Sequence, residues 1–168
     1  ENPRRRRIDL SWAAEEVRRR SAGAVELLDL QLATPELEKK VKAGKFAKRY
    51  LAKVSFAEPV SFEAFAQAVA GLVGEVRQRT PERVRHRRAD LVRRRRVLSA
   101  QGRLLSPLEA ELELTCEAGL YVKELVSGDQ GGTHPSLSGL LGVQAWVTEL
   151  DVLDLLDEAD VVPHAQPD

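Results

Sequence analysis

Tyr121 and Lys123 are the two residues of this chain best placed to do chemistry. They lie in Ala118–Asp129, AGLYVKELVSGD, where both polar tips are rooted at the edge of an apolar stretch. A phenol in such a place can hold or exchange a proton. An ammonium there can keep a neighbouring carboxylate ionised, because an opposite charge within hydrogen-bond reach lowers a carboxyl pKa. Lys123 is also isolated, since no other Lys or Arg follows Arg103. The same spacing reads equally as a tyrosine capping the core and a lysine on a helix surface.

The elements that must position this pair are a strand, a turn and a helix. Leu108, Ala110, Leu112 and Leu114 alternate with Glu109, Glu111, Glu113 and Thr115, the period of a strand with one buried face. Gly119 permits a sharp turn. Leu120, Val122, Leu125 and Val126 then change to helical spacing. Upstream, Ala89–Ala100 reads as a strand whose four arginines, Arg93–Arg96, fall two on each face. It is expected to pair with 108–116 as a hairpin, turning at Gln101–Gly102 or Ser106–Pro107. Lys48–Phe56 is a further strand, alternating Tyr50, Ala52, Val54 and Phe56 against Leu51, Lys53 and Ser55.

Helices are expected at Ser11–Arg20, capped by Ser11, and at Thr34–Gly44, where Thr34 caps and Pro35 takes the first position. Leu37 and Val41 share the inner face of the second. The longest periodic helix is Ser61–Gln78, striped by Phe62, Phe65, Val69, Leu72, Val73 and Val76. Val25–Leu32 alternates loosely as a strand. After the Gly-rich loop Ser127–His134 come a short helix, Ser136–Gly142, and a last strand, Val143–Val152. In that strand Val143, Ala145, Val147, Glu149 and Asp151 oppose Gln144, Trp146, Thr148, Leu150 and Val152. No internal repeat is visible. The expected fold is α+β, a mixed, mainly antiparallel sheet with helices on one side. A single domain spans 1–154, followed by an acidic, frayed tail, 155–168.

The 168 residues suffice for one domain with a sizeable core. Their net charge of zero hides a segregation: residues 1–103 hold 25 of the 26 Lys and Arg but only 13 of the 26 acids. General surface charging would mix the signs. The basic part therefore suits a polyanion such as nucleic acid. Cys116 is the only cysteine, so an internal disulfide is impossible, and a four-ligand zinc site does not fit one Cys and three scattered His. No apolar run approaches the roughly 20 residues that cross a bilayer as a helix. A reduced, intracellular and cytoplasmic setting is expected. The sequence opens at Glu1 and contains no Met, so it reads as a piece of a longer protein.

Three separated motifs then fall in a recognisable order: RTPERVRHRRADLVRRRRV, CEAGLYVKELVSGDQGGTHPSLSGLLG and AWVTELDV. Together they resemble the C-terminal catalytic half of the archaeal and eukaryotic T-loop tRNA pseudouridine synthases, the tenth pseudouridine synthase family. The opening ENPRRRR is similar to the stretch just after that family's catalytic loop. The resemblance covers roughly Glu1 to Asp154. It implies that Tyr50, in KRYLAKV, stacks on or lies near the flipped uracil. It implies that Tyr121 is the second tyrosine of the active site and that Lys123 pairs with the catalytic aspartate. Leu140 or Leu141 would form the apolar wall under the target base. Arg79, Arg83, Arg85, Arg87, Arg88, Arg93 and Arg95 would line the tRNA path, and no metal or organic cofactor is implied.

This chain departs from the pattern: the family's catalytic-aspartate loop, N-terminal RNA-binding module and paired-cysteine zinc site are not in it. The family's aspartate lies in a loop upstream of ENPRRRR, and Asp9, Asp29 and Asp90 stand in ordinary helix or strand patterns. The isolated chain is therefore expected to be inactive, with the aspartate supplied by another segment of the protein. A non-catalytic RNA-binding module with the same fold is the competing expectation, and a heat-stable interaction domain a third. The enzyme reading requires two phenols and one ammonium to frame a space for a swung-out pyrimidine beside an arginine-lined trough.

Overall fold

A computed structural model describes residues 9–43 and 46–156. Its contacts divide the chain into two compact units, Glu1–Gly44 and Lys45–Asp168, where the sequence reads one stretch from 1 to 154. The basic opening ENPRRRR and the tail beyond Leu156 lie outside the described residues.

The first unit carries two short helices. α1 (Leu10–Arg20) is capped by Asp9, not by Ser11: the Asp9 carboxylate accepts from the backbone N–H of Ser11 and Trp12 at 2.9 and 3.1 Å. Both bonds go to Oδ1, and Ser11 cannot cap because the helix already includes it. Along α1, Glu15 pairs with Arg18, and Glu16 with both Arg19 and Arg20. Val25–Leu32 is not a strand. Asp29 has φ of 51°, Val25 donates to Ser21 Oγ, and no partner strand pairs with the segment. α2 (Pro35–Ala43) begins as expected, with Leu37 N–H bonded to Thr34 Oγ1, yet Leu37 and Val41 are exposed.

The second unit is built on strand alternation. β1 (Ala47–Phe56) buries Ala52, Val54 and Phe56, and β4 (Glu109–Cys116) buries Ala110, Leu112, Leu114 and Cys116. The register Tyr50↔Leu114, Ala52↔Leu112, Val54↔Ala110 puts all of these on one face. That inner face takes the helices. The outer face carries Arg49, Lys53, Arg103, Glu111, Glu113 and Glu149, linked by ion pairs across strands.

The six strands run in the order β5 (Thr133–His134), β2 (Gly74–Arg79), β3 (Val92–Ser106), β4, β1, β6 (Ala145–Leu156), and every pairing among the described strands is antiparallel. β3 (Val92–Ser106) runs straight through Gln101–Gly102, so the hairpin turns at Ser106–Pro107. β6 (Ala145–Leu156) pairs with β1 through two register shifts. A shift of one residue exchanges the faces of a strand. Val147 faces inward before the shift and Leu150 after it, instead of Glu149. β6 also carries Leu155 and Leu156, which the sequence assigns to the tail.

The expected helix Ser61–Gln78 is two elements. α3 (Phe62–Ala70) starts at its Ser61 cap and stops at Gly71. β2 (Gly74–Arg79) follows and pairs with β3. Phe65, Val69, Leu72 and Val76 fit a helical stripe, but Gly74 has φ of 119°, a backbone a helix does not use. From there Val76, Gln78 and Thr80 are buried and Arg77 and Arg79 exposed, which is period two. A 3-10 helix, Glu82–Arg87, joins β2 to β3. α4 (Val122–Ser127), β5 (Thr133–His134) and α5 (Leu137–Leu141, capped by Ser136) complete the unit. No helix among the described residues is long and apolar enough to cross a membrane.

Candidate active site

The chain leaves β4 at Cys116, turns at Gly119 with φ of 84°, and enters α4 with Tyr121 as the residue before its first turn. The turn is fixed from two sides. Arg95 on β3 lies over Gly119, close enough that a Cβ there would sit 3.3 Å from Arg95 Nε. Leu120, Val122, Leu125 and Val126 anchor α4 in the core. Lys123 consequently stands exposed in the first turn of α4, with no ion pair among the described residues. A cation at that end opposes the helix dipole. Its placement does nothing for helix stability, which leaves it free for other electrostatic work.

Tyr50 stands on the inner face of β1. It pairs with Leu114, two residues before the end of β4, and packs half-buried against the core cluster that includes Leu120 and Val122. Burial raises its phenol above the ordinary tyrosine range, and the neighbouring Cys116 adds to that. Tyr50 thus stands on the inner face of β1, and Tyr121 and Lys123 stand at the start of α4, just after the β4–α4 turn. Leu141 also packs against this core, whereas Leu140 is half-exposed and leans on Gly71 at the end of α3.

The arginines do not form one row. β2 and β3 are in register with Gln78↔Arg93 and Val76↔Arg95, so Arg93 and Arg95 share the inner face with Tyr50. Arg93 is bonded to Thr80 Oγ1 at 2.9 Å. Arg79 alternates to the outer side and makes a two-point pair with Asp90, which holds that carboxyl below its usual range. Arg79 and Arg85 line an outer cleft of about 720 Å³ with Arg77, Asp129 and His134. Arg87 and Arg88 are exposed at the end of the 3-10 helix. The single trough expected from the sequence is thus two basic surfaces, divided by the pleat of β2 and β3.

Two residues that sequence reasoning passed over are built into the site. Gln78 is 2% exposed, and its side-chain amide grips the backbone of Tyr121. Tyr121 N–H donates to Gln78 Oε1 at 2.9 Å, and Gln78 Nε2 donates to the Tyr121 carbonyl at 3.0 Å. Glu124 is buried on α4 and receives Arg83 Nε at 2.7 Å and Nη2 at 3.3 Å. That bond raises Arg83 above its ordinary range, and the guanidinium carbon stands 5.9 Å from the centre of the Tyr121 ring. The period-two run Val76, Gln78, Thr80 after Gly74 was the available signal for Gln78. Nothing in the spacing distinguished Glu124 from a surface acid.

Cys116 has no exposed surface, and burial lifts its thiol to about 12. Its reaction with a thiol reagent at pH 8 should therefore follow unfolding. A labelling rate that falls to zero under stabilising conditions is expected, and fast labelling of the native chain would contradict this burial. The stability linked to this thiol is full below about pH 9, the ordinary thiol value, and is lost as pH rises toward 12. Among the described residues no three His, Cys, Asp or Glu side chains cluster as metal ligands.

Comparison with known proteins places this geometry. Among solved structures, a chain of a Cbf5-Nop10-Gar1 complex superposes with a TM-score of 0.58 at 23% identity, over 70% of this chain and 33% of that one. A chain of an H/ACA RNP bound to a substrate RNA containing 2'-deoxyuridine gives 0.54 at 21%. These establish the fold. Among curated relatives, the tRNA pseudouridine synthase Pus10 of Methanothrix thermoacetophila is 48% identical over 153 residues, covering 91% of this chain and 34% of the relative. That of Pyrococcus furiosus is 40% identical over 159 residues, covering 94% and 40%. The chain thus spans about a third to two-fifths of the length of these relatives. The family model described as Pus10, C-terminal, matches residues 1–156, and the chain belongs to that family.

Proposed function

We propose that this chain forms part of the catalytic domain of a tRNA pseudouridine synthase, which isomerises uridine to pseudouridine in the T-loop. The reading is carried by membership of the Pus10 C-terminal family, and it is supported by Tyr50 on the inner face of β1 and by Tyr121 and Lys123 at the start of α4. The nucleophilic aspartate comes from a part of the protein outside residues 1–168. The protein works in the cytoplasm, where a lone thiol such as Cys116 stays reduced.

Each residue has a stated task. The target base must leave the stack, at a cost of a few kcal/mol. Tyr50 offers it a ring, and stacking on an aromatic side chain returns about 1–3 kcal/mol per base. A carboxylate acts as nucleophile or base on the nucleoside. Lys123 keeps that carboxylate ionised across the step. Tyr121 holds or passes a proton as the base rejoins through carbon. Breaking and remaking the glycosidic bond is acid–base and nucleophilic chemistry, and it proceeds without a metal or an organic cofactor.

Exposed Arg87 and Arg88, with Arg95 on the inner face, hold the phosphate backbone. Replacing Arg87 and Arg88 together with alanine should weaken T-arm RNA binding and lower the salt slope of log K by about two, sparing the chemical step. Filter binding between low and moderate salt reads this, and an unchanged slope would remove them from the RNA path. The reading as a whole is tested by mass spectrometry of a T-arm RNA incubated with the full-length protein. Pseudouridine in the T-loop is expected. Tight, salt-dependent binding with no pseudouridine would leave an RNA-binding module that keeps the fold.

A further inference from the structure

The least explained polar group in the core is Gln78. A buried amide must satisfy its own hydrogen bonds or lose stability. Gln78 does so almost wholly on one residue, taking the N–H and giving to the C=O of Tyr121, with a longer bond of 3.4 Å to Thr133 Oγ1. A two-point bond of this kind fixes translation and rotation of the peptide it grips. It falls on the residue that precedes α4, just where no side chain caps the helix.

Four residues after the end of β2 at Arg79, Arg83 grips the same helix start from the solvent side. It reaches Glu124, which is 4% exposed, through Nε and Nη2, and places its charge 5.9 Å from the Tyr121 ring centre. Only a planar fork can engage both carboxylate oxygens in this way. The segment from Gln78 to Arg83 therefore holds Tyr121 by backbone and by ring. An arginine whose fork is occupied by a buried carboxylate is poorly suited to take an RNA phosphate.

We propose that Gln78 and Arg83 are positioning residues, which set Tyr121 and, through the start of α4, Lys123 for the proposed isomerisation. This rests on the functional reading above, but its first test does not. The chain has two tyrosines, Tyr50 and Tyr121, so 3-fluorotyrosine labelling gives one fluorine signal from each. In Gln78→Leu the Tyr121 signal should move or broaden while that of Tyr50 stays. In Arg83→Lys, which keeps the charge beside Glu124 and loses the fork, the Tyr121 signal should move as well.

The second test uses the full-length protein on a T-arm RNA. Both variants should lower kcat about tenfold or more, with KM and the salt slope of binding within about twofold of the parent. Arg83→Lys is the deciding variant. A phosphate contact would survive the exchange of one cation for another, whereas a fork on Glu124 would not. Wild-type kcat in Arg83→Lys, or a lowered salt slope in Arg83→Leu, would overturn the assignment of Arg83. An unmoved Tyr121 signal in folded Gln78→Leu would overturn that of Gln78. An inactive parent with the fluorine shifts intact would instead strike the functional reading and leave the brace standing.

Discussion

Lys123→Ala in the full-length protein should lower turnover on a T-arm RNA by about 100- to 1,000-fold, the scale seen when one preorganised electrostatic partner is removed from a reacting centre. RNA affinity should change less than about threefold. The expectation follows from where the ammonium stands. It occupies the first turn of α4, exposed and without an ion pair among the described residues, at the helix end where the dipole disfavours a cation. Its side chain is held only through the backbone, by four buried residues of the same helix, Val122, Glu124, Leu125 and Val126. Removing it leaves that packing intact, so the fold should survive. Single-turnover kinetics separates the two quantities. Equal loss of rate and affinity would make Lys123 a phosphate contact and nothing more.

The second large effect is on stability, at the opposite end of the sheet. Phe65→Ala should cost about 3–5 kcal/mol, the usual range for deleting a fully buried ring, and lower Tm by about 10 °C or more. Phe65 is 1% exposed and meets Phe56 edge-on, with ring centres 6.0 Å apart. Its ring rests against Gly102, inside β3, where an added Cβ would stand 2.7 Å from two ring atoms. Glycine inside a strand weakens it, and here the ring takes the place of the absent side chain. Gly102→Ala should therefore destabilise the wild type but do much less harm in Phe65→Leu. A double-mutant cycle by thermal or urea unfolding measures that coupling. Strict additivity would mean that the ring does not hold the glycine.

How far the sequence revealed this structure depended on whether a segment carried one signal or two. β1 and β4 were legible because alternation and charge agreed: Glu109, Glu111 and Glu113 had to face solvent, so Ala110, Leu112 and Leu114 could not. Gly119 and the helix after it were legible because the period changed at a glycine. The stretch 61–78 was misread because its apolar residues satisfy a helix stripe through Val76, and only the backbone at Gly74 and the pairing with β3 decide against it. Val25–Leu32 had an alternating pattern and no partner strand to pair with. Tyr121 and Lys123 were singled out by their types and spacing, and Tyr50 by the family resemblance. Gln78 was hidden by the wrong period, and the two faces of the arginine set depended on a register that sequence does not contain.

The most direct measurement is a titration of the 3-fluorotyrosine chain with a T-arm stem-loop at low salt. If Tyr50 and Tyr121 face one bound pyrimidine, both fluorine signals shift along a single binding curve, and both responses fade as salt is raised. A shift at Tyr121 with Tyr50 unmoved, or two curves with different midpoints, would mean that the two rings do not share a base.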